Sequence, residues 1–291
     1  MLAPGLVEYA APDDPALDFC LWPYRPPVPA DDKLRSLTLL MLTFELCGVA
    51  AAGREVVEAL RRGIGPFMTV WGVKWVDGRL KWEFYFYDYQ RLERTRSMTK
   101  VFDVLRPLIA SRVRPNEGHP YFMFSIDFTE DTFTGRAGFD QAHMYIGNPG
   151  SSVSSGIAYT VGANPDENIL ENFYFFFDAV REIEHVRGKI GCSAYLEPTA
   201  FDIDAILWPE LRDCQTLVVA NKRYNDAMYF SRINVQQLGI FLERLGYPRE
   251  ICAFVHDERA RLDHMLYDVG IDYRVDRGSV RILKSGFYGV F

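Results

Sequence analysis

The sequence predicts an α+β protein, a closed ten-stranded antiparallel β-barrel surrounded by helices. Runs rich in aromatic and β-branched residues fall into consecutive pairs, and two-residue turn signals join several of them. Helical segments stand beside most pairs, with no parallel βαβ alternation and no glycine-rich phosphate loop. At 291 residues, 48% hydrophobic and 24% charged, the chain can bury a large core and is not a disordered segment. A formal net charge of −7 argues against a nucleic-acid binder, which carries a basic face, so any anion site has to be a local cluster.

Residues 1–32 are proline-rich and aperiodic and read as a leader, packed as extended chain or loose, ahead of a single barrel domain over 33–291. The opening MLAPGLVEYAAPDDP lacks the basic and apolar regions of a signal peptide. The most apolar stretch, 37–53, is interrupted by Thr43 and Glu45, so a soluble cytoplasmic protein, a monomer without membrane partner, is expected. The 5 cysteines are widely spaced with no metal-site pattern and read as reduced, buried thiols.

Residues 33–62 read as two helices broken between Gly48 and Gly53. The first hairpin, FMTVWGVKWV-DG-RLKWEFYFYDYQR, turns at Asp77-Gly78. Ser97 caps a helix whose apolar positions Met98, Val101, Phe102 and Leu105 follow helical spacing. Four strands follow, YFMFSIDF, QAHMYIG, SGIAYTVG and NFYFFFD, then a short helix over 179–189. TLVVANK and AMYFSRI form a hairpin around Asn225-Asp226, a helix carries Val235, Leu238 and Leu242, and a further helix spans 249–266. The last hairpin turns at Arg277-Gly278.

Two-residue turns fix which residues face each other. In the first hairpin Lys74 then opposes Lys81, and one face carries Lys74, Lys81, Glu83, Tyr85, Tyr87, Tyr89 and Arg91 while Trp82, Phe84 and Phe86 form the other. In the last hairpin Arg274 opposes Arg281, and in the middle one Lys222 opposes Tyr229. Like charges directly opposed in a sheet are destabilising. These residues are either solvated hairpin ends or the walls of an anion site, and Glu83 beside two lysines is either their ion-pair partner or a base.

Together KWEFYFYDYQR, ANKRYNDAMYFSR and DYRVDRGSVRILK describe a barrel whose greasy face meets the helices and whose tyrosine-rich, cationic face lines a lumen. Over residues 33–291 the chain resembles the ABBA-type (PT-barrel) aromatic prenyltransferases, in which helices surround a ten-stranded antiparallel barrel. The resemblance implies transfer of an allylic isoprenoid group from a diphosphate, such as dimethylallyl diphosphate, to an indole, phenol or peptide side-chain acceptor, without cofactor or metal. It assigns Lys74, Lys81, Lys222, Arg274 and Arg281 to the diphosphate, and Tyr85, Tyr87, Tyr145, Tyr174 and Tyr229 to the lumen as a shield for the allylic cation. Glu83 becomes the base. The chemistry suits these types, because cations stabilise the leaving diphosphate and π-faces favour a carbocation without capturing it.

The DDxxD helix of metal-dependent prenyl-diphosphate enzymes has no counterpart: Asp13-Asp14 precedes Pro15, and Asp202 and Asp204 stand as an isolated pair. His256 and His264 lack zinc spacing, and no HExxH, GxSxG or P-loop occurs. His143, beside Tyr145, either faces the lumen or is a structural histidine. The alternative is a barrel that binds an aromatic or lipid-like ligand without chemistry.

Overall fold

Asp77 and Gly78 adopt φ of 49° and 74°, the left-handed pair a type I′ turn needs, and fold β1 (Thr69–Val76) back on β2 (Arg79–Tyr87). Arg277 and Gly278 repeat this at 50° and 76° between β9 (Tyr267–Asp276) and β10 (Ser279–Val290). Between them run β3 (Tyr121–Phe128), β4 (Ala142–Gly147), β5 (Ser155–Val161), β6 (Asn168–Asp178), β7 (Thr216–Lys222) and β8 (Asp226–Ile233). Each strand pairs antiparallel with its chain neighbours and β10 closes on β1, giving an up-and-down barrel without a free edge. The computed structural model describes residues 6–89, 93–147, 155–195 and 202–291. Arg91, expected on the lumen face, lies outside these, as do residues 148–154.

Alternation along the strands separates two apolar layers. Trp82, Phe84 and Phe86 point outward, fully buried, against helices α1 (Leu37–Leu46), α2 (Ala50–Ile64) and α4 (Glu130–Phe133) and their neighbours. Trp82 packs against Phe44 at 5.2 Å and edge-on to Phe133 at 5.3 Å, while its indole N–H donates to Thr43 Oγ1 at 2.8 Å. Truncating such a side chain to alanine costs about 3–5 kcal/mol. The chain between α1 and α2 turns at Gly48, at φ 68°, inside the expected break.

The Ser97 hydroxyl accepts from the Lys100 amide at 3.1 Å and starts α3 (Met98–Leu105), as its sequence requires. Helix α5 (Ile183–Gly191) follows β6, and a capping box of Asn234 and Gln237 opens α6 (Val235–Arg244). The expected single helix over 249–266 is instead α7 (Arg249–Asp257) and α8 (Arg259–Leu262), broken where Glu258 leaves helical geometry at φ −94°, ψ 12°. No helix among the described residues is long and apolar enough to cross a membrane. Of the cysteines expected to be buried, Cys20 and Cys214 are, whereas Cys192 is exposed and Cys47 and Cys252 are half-buried.

The middle hairpin corrects its expected register. The Lys222 amide donates to the Asn225 carbonyl at 3.0 Å, so Arg223-Tyr224 is the turn and Tyr229 opposes Val218 rather than Lys222. Asn225 is not a turn corner because its side-chain amide donates to Asp272 at 3.0 Å. The register shift is an even number of residues, so Lys222 and Tyr229 keep the shared face that alternation gave them.

The described part of the proline-rich leader is packed extended chain. Glu8 binds Arg61 at 2.8 Å and Asp14 binds Arg35 at 2.7 Å, pinning it to the helical shell. Asp18, Phe19 and Cys20 then cross the end of the barrel opposite the β1–β2 and β9–β10 turns.

Candidate functional site: the barrel lumen

Inside the strands lies a second apolar cluster, separate from the shell between strands and helices. The lumen it lines is graded along the barrel axis, with a polar mouth near the hairpin turns, a waist of tyrosines and an apolar floor.

At the mouth a cavity of about 250 Å³ is lined by Lys74, Lys222, Lys284 and Arg223 and by Glu83, Asp127, Glu171 and Asp272. Lys74 Nζ lies 2.5 Å from Glu83 and 2.6 Å from Asp127. Burial works against both charges, yet the Lys74 ammonium holds Glu83 below its ordinary range, and Asp127 together with Glu83 holds Lys74 above its own. The Glu83 carboxylate also accepts from Tyr85 at 2.7 Å and from the Ser125 hydroxyl. Across the lumen Lys222 and Lys284 converge on one carboxylate, Asp272, at 2.9 and 3.3 Å. Their crowding has a consequence: the Lys222 ammonium, with burial adding to it, pulls Lys284 below its ordinary value against the attraction of Asp272. Two ammonium groups on one carboxylate make this wall positive, whereas Lys74 between Glu83 and Asp127 leaves the facing wall negative, so it is the Lys222–Lys284 side that complements an anion.

His143 faces the lumen, with Nε2 3.3 Å from Asp127 and Nδ1 3.3 Å from Thr160. Below these groups stand Tyr85, Tyr145, Tyr174, Tyr229 and Tyr288, with ring centroids 5.9 Å apart for Tyr145–Tyr174 and Tyr85–Tyr288 and 6.3 Å for Tyr174–Tyr229. Two glycines make room for them. A Cβ on Gly270, opposite Tyr229, would sit 2.3 Å from that ring, and one on Gly72, opposite Tyr288, would sit 2.8 Å from its ring. Burial, more than any neighbouring charge, raises the phenols of Tyr85, Tyr145 and Tyr229 well above their ordinary value, so the waist stays uncharged.

The floor is a cavity of about 70 Å³ lined by apolar groups including Val70, Met123, Phe176 and Val218, with Phe19 and Cys20 beneath. Tyr87 belongs here; its hydroxyl donates to the Phe19 carbonyl. Tyr89, expected on the lumen face, is exposed past the end of β2 and donates to the Cys20 carbonyl at 2.8 Å.

The lumen therefore brings together Lys74, Lys222, Glu83, Tyr85, Tyr87, Tyr145, Tyr174 and Tyr229 from the sequence-derived set. Lys81, Arg274 and Arg281 sit apart. The registers Lys74↔Lys81 and Arg281↔Arg274 hold, but these three side chains are exposed near the turns and do not line the cavity. Arg274 instead donates to the Tyr224 carbonyl and stacks at 5.5 Å over Tyr195.

Sequence reasoning missed Lys284, Asp272, Asp127 and Tyr288. Strand alternation counted from the Arg277-Gly278 turn puts Lys284 and Tyr288 outside, and a bulge between Ile282 and Lys284 turns both inward. In comparisons with known proteins, no family model matches the chain and no curated protein matches it in sequence.

Proposed function

We propose that the protein transfers an allylic isoprenoid group from its diphosphate to an aromatic acceptor within the lumen. The observation that carries this reading is the axial grading, with lysines crowded at the mouth, neutral tyrosines below them and a small apolar floor. A polyanionic head joined to a short unsaturated tail is complementary to all three levels.

In this reading Lys222, Lys284 and Lys74 hold the diphosphate, which takes over the neutralising role of Asp272 toward the first two. The allylic C–O bond breaks and its electron pair leaves on the diphosphate, whose charge the lysines stabilise. The tyrosine faces favour the cation electrostatically, and as uncharged phenols they do not trap it as phenolates would. A ring carbon or heteroatom of the acceptor then supplies the electron pair of the new bond, and the adduct loses a proton to Glu83. A carboxylate held below its ordinary range is a weak base, but a protonated adduct of this kind is a strong enough acid to yield to it. Lys81, Arg274 and Arg281, outside the cavity, add positive potential around its entrance.

A barrel that binds an aromatic or lipid-like molecule without turnover is the alternative, favoured by the carboxylate partner that each lumen lysine has at rest. Incubation with dimethylallyl diphosphate and a panel of indoles, phenols and tyrosine- or tryptophan-containing peptides, read by mass spectrometry, separates the two. The proposal expects an adduct one dimethylallyl group heavier, with free diphosphate released in equal amount. Retention of intact donor across the panel, with binding but no release, supports the alternative.

A further inference from the structure

The inner apolar cluster is built from residues of the barrel strands with one exception among the described residues, the strap formed by Phe19, Cys20 and Leu21. Phe19 and Cys20 line the floor cavity directly, and the Phe19 ring stands 6.3 Å from Tyr288 at the lower edge of the waist. The wall at the bottom of the lumen is therefore a segment outside the barrel.

This strap is held by its backbone. The Asp18 carboxylate accepts from the amides of Cys20 and Trp22 at 3.0 Å each, closing a tight loop whose corner, Leu21, has φ of 58°. The Phe19 amide donates to Asp268 at 2.9 Å, Arg232 binds Asp18 at 2.9 Å, and the Tyr87 and Tyr89 hydroxyls donate to the two carbonyls between. Anchors on both faces of the loop fix the positions of the Phe19 and Cys20 side chains.

We propose that Phe19 and Cys20 set the length of the apolar chain the lumen admits, an inference that rests on the allylic-diphosphate reading above. A floor of about 70 Å³ holds two or three carbon-sized groups if each takes roughly 30 Å³, the volume of a liquid water. A branched five-carbon tail fills the waist and this space, and the second half of a ten-carbon tail meets the strap.

Calorimetric titration of dimethylallyl and geranyl diphosphate, without acceptor, tests this on the full chain. In the wild type the shorter donor binds tighter by about tenfold or more, and Phe19→Ala removes most of that preference. Cys20→Leu, which fills the floor, weakens dimethylallyl diphosphate by about tenfold and leaves inorganic diphosphate within about twofold. The wild-type preference persisting in Phe19→Ala, or dimethylallyl diphosphate binding undiminished in Cys20→Leu, with melting temperatures unchanged, overturns the inference. If the wild type binds neither donor, it is the reading of the site that fails. The strap is then tested by xenon-pressurised crystals, in which Phe19→Ala gains xenon at the floor if these side chains bound it and gains none if they do not.

Discussion

Glu83 is the residue on which charge and chemistry meet. Its carboxylate accepts from Lys74, Tyr85 and Ser125, so it anchors the mouth as well as serving as the proposed proton acceptor. Glu83→Gln keeps the shape and removes the base. Turnover is expected to fall by about 10²–10⁴-fold, and because Asp127 still holds Lys74, donor affinity stays within a few fold, as single-turnover and binding assays can separate. Full activity in this variant removes Glu83 from the chemistry. Gly270 supports the site from the opposite wall. Gly270→Ala drives a methyl group into the Tyr229 ring and is expected to cost about 1–3 kcal/mol in denaturant unfolding, with Tyr229 displaced. Tyr229→Ala in the same background relieves that clash, so the two substitutions should be non-additive.

Turns made the outer hairpins legible, and their absence or misreading hid the rest. The β1–β2 register and the first rungs after the β9–β10 turn follow from Asp77-Gly78 and Arg277-Gly278. The Asn225-Asp226 pair looks like the same signal, yet Asn225 serves Asp272, and Arg223-Tyr224, without a turn signature, makes the bend. The bulge after Ile282 has no compositional mark, which is why Lys284 escaped a count by alternation. Asp127 and His143 come from β3 and β4, where no two-residue turn fixes the pairing. The clasp on the strap carries its own pH signature. Burial first, and then the neighbouring Asp18 carboxylate, push the Asp268 carboxyl up to about 7. The folded protein then keeps a proton that the unfolded chain releases above about pH 4, so this group's contribution to stability is greatest in acid and declines up to about pH 7, by at most about 1.4 kcal/mol per pH unit. Urea unfolding of Asp268→Asn between about pH 5 and about pH 8 should lack that decline. Parallel wild-type and variant profiles contradict it.

Taken whole, the molecule uses one barrel to hold apart two apolar regions, an outer shell between strands and helices and an inner column that lines the lumen. Closure by β1–β10 pairing removes the edges and fixes the lumen's width, and the strap ends it on one side. The mouth alone stays polar, and within it the lysines differ from the exposed cations above in one respect that can be measured. Lys222 and Lys284 are drawn together inside the cavity, whereas Lys81 and Arg281 project outside it. The most direct test of the account is calorimetric titration of dimethylallyl diphosphate into the wild type and four alanine variants in buffer containing EDTA. Lys222→Ala and Lys284→Ala are expected to weaken binding by about 1–3 kcal/mol each, as loss of charge-assisted hydrogen bonds in a partly desolvated site does, and Lys81→Ala and Arg281→Ala by no more than about 0.5 kcal/mol. Equal losses in all four variants, or no binding by the wild type until magnesium is restored, contradict a lumen site whose lysines neutralise the diphosphate.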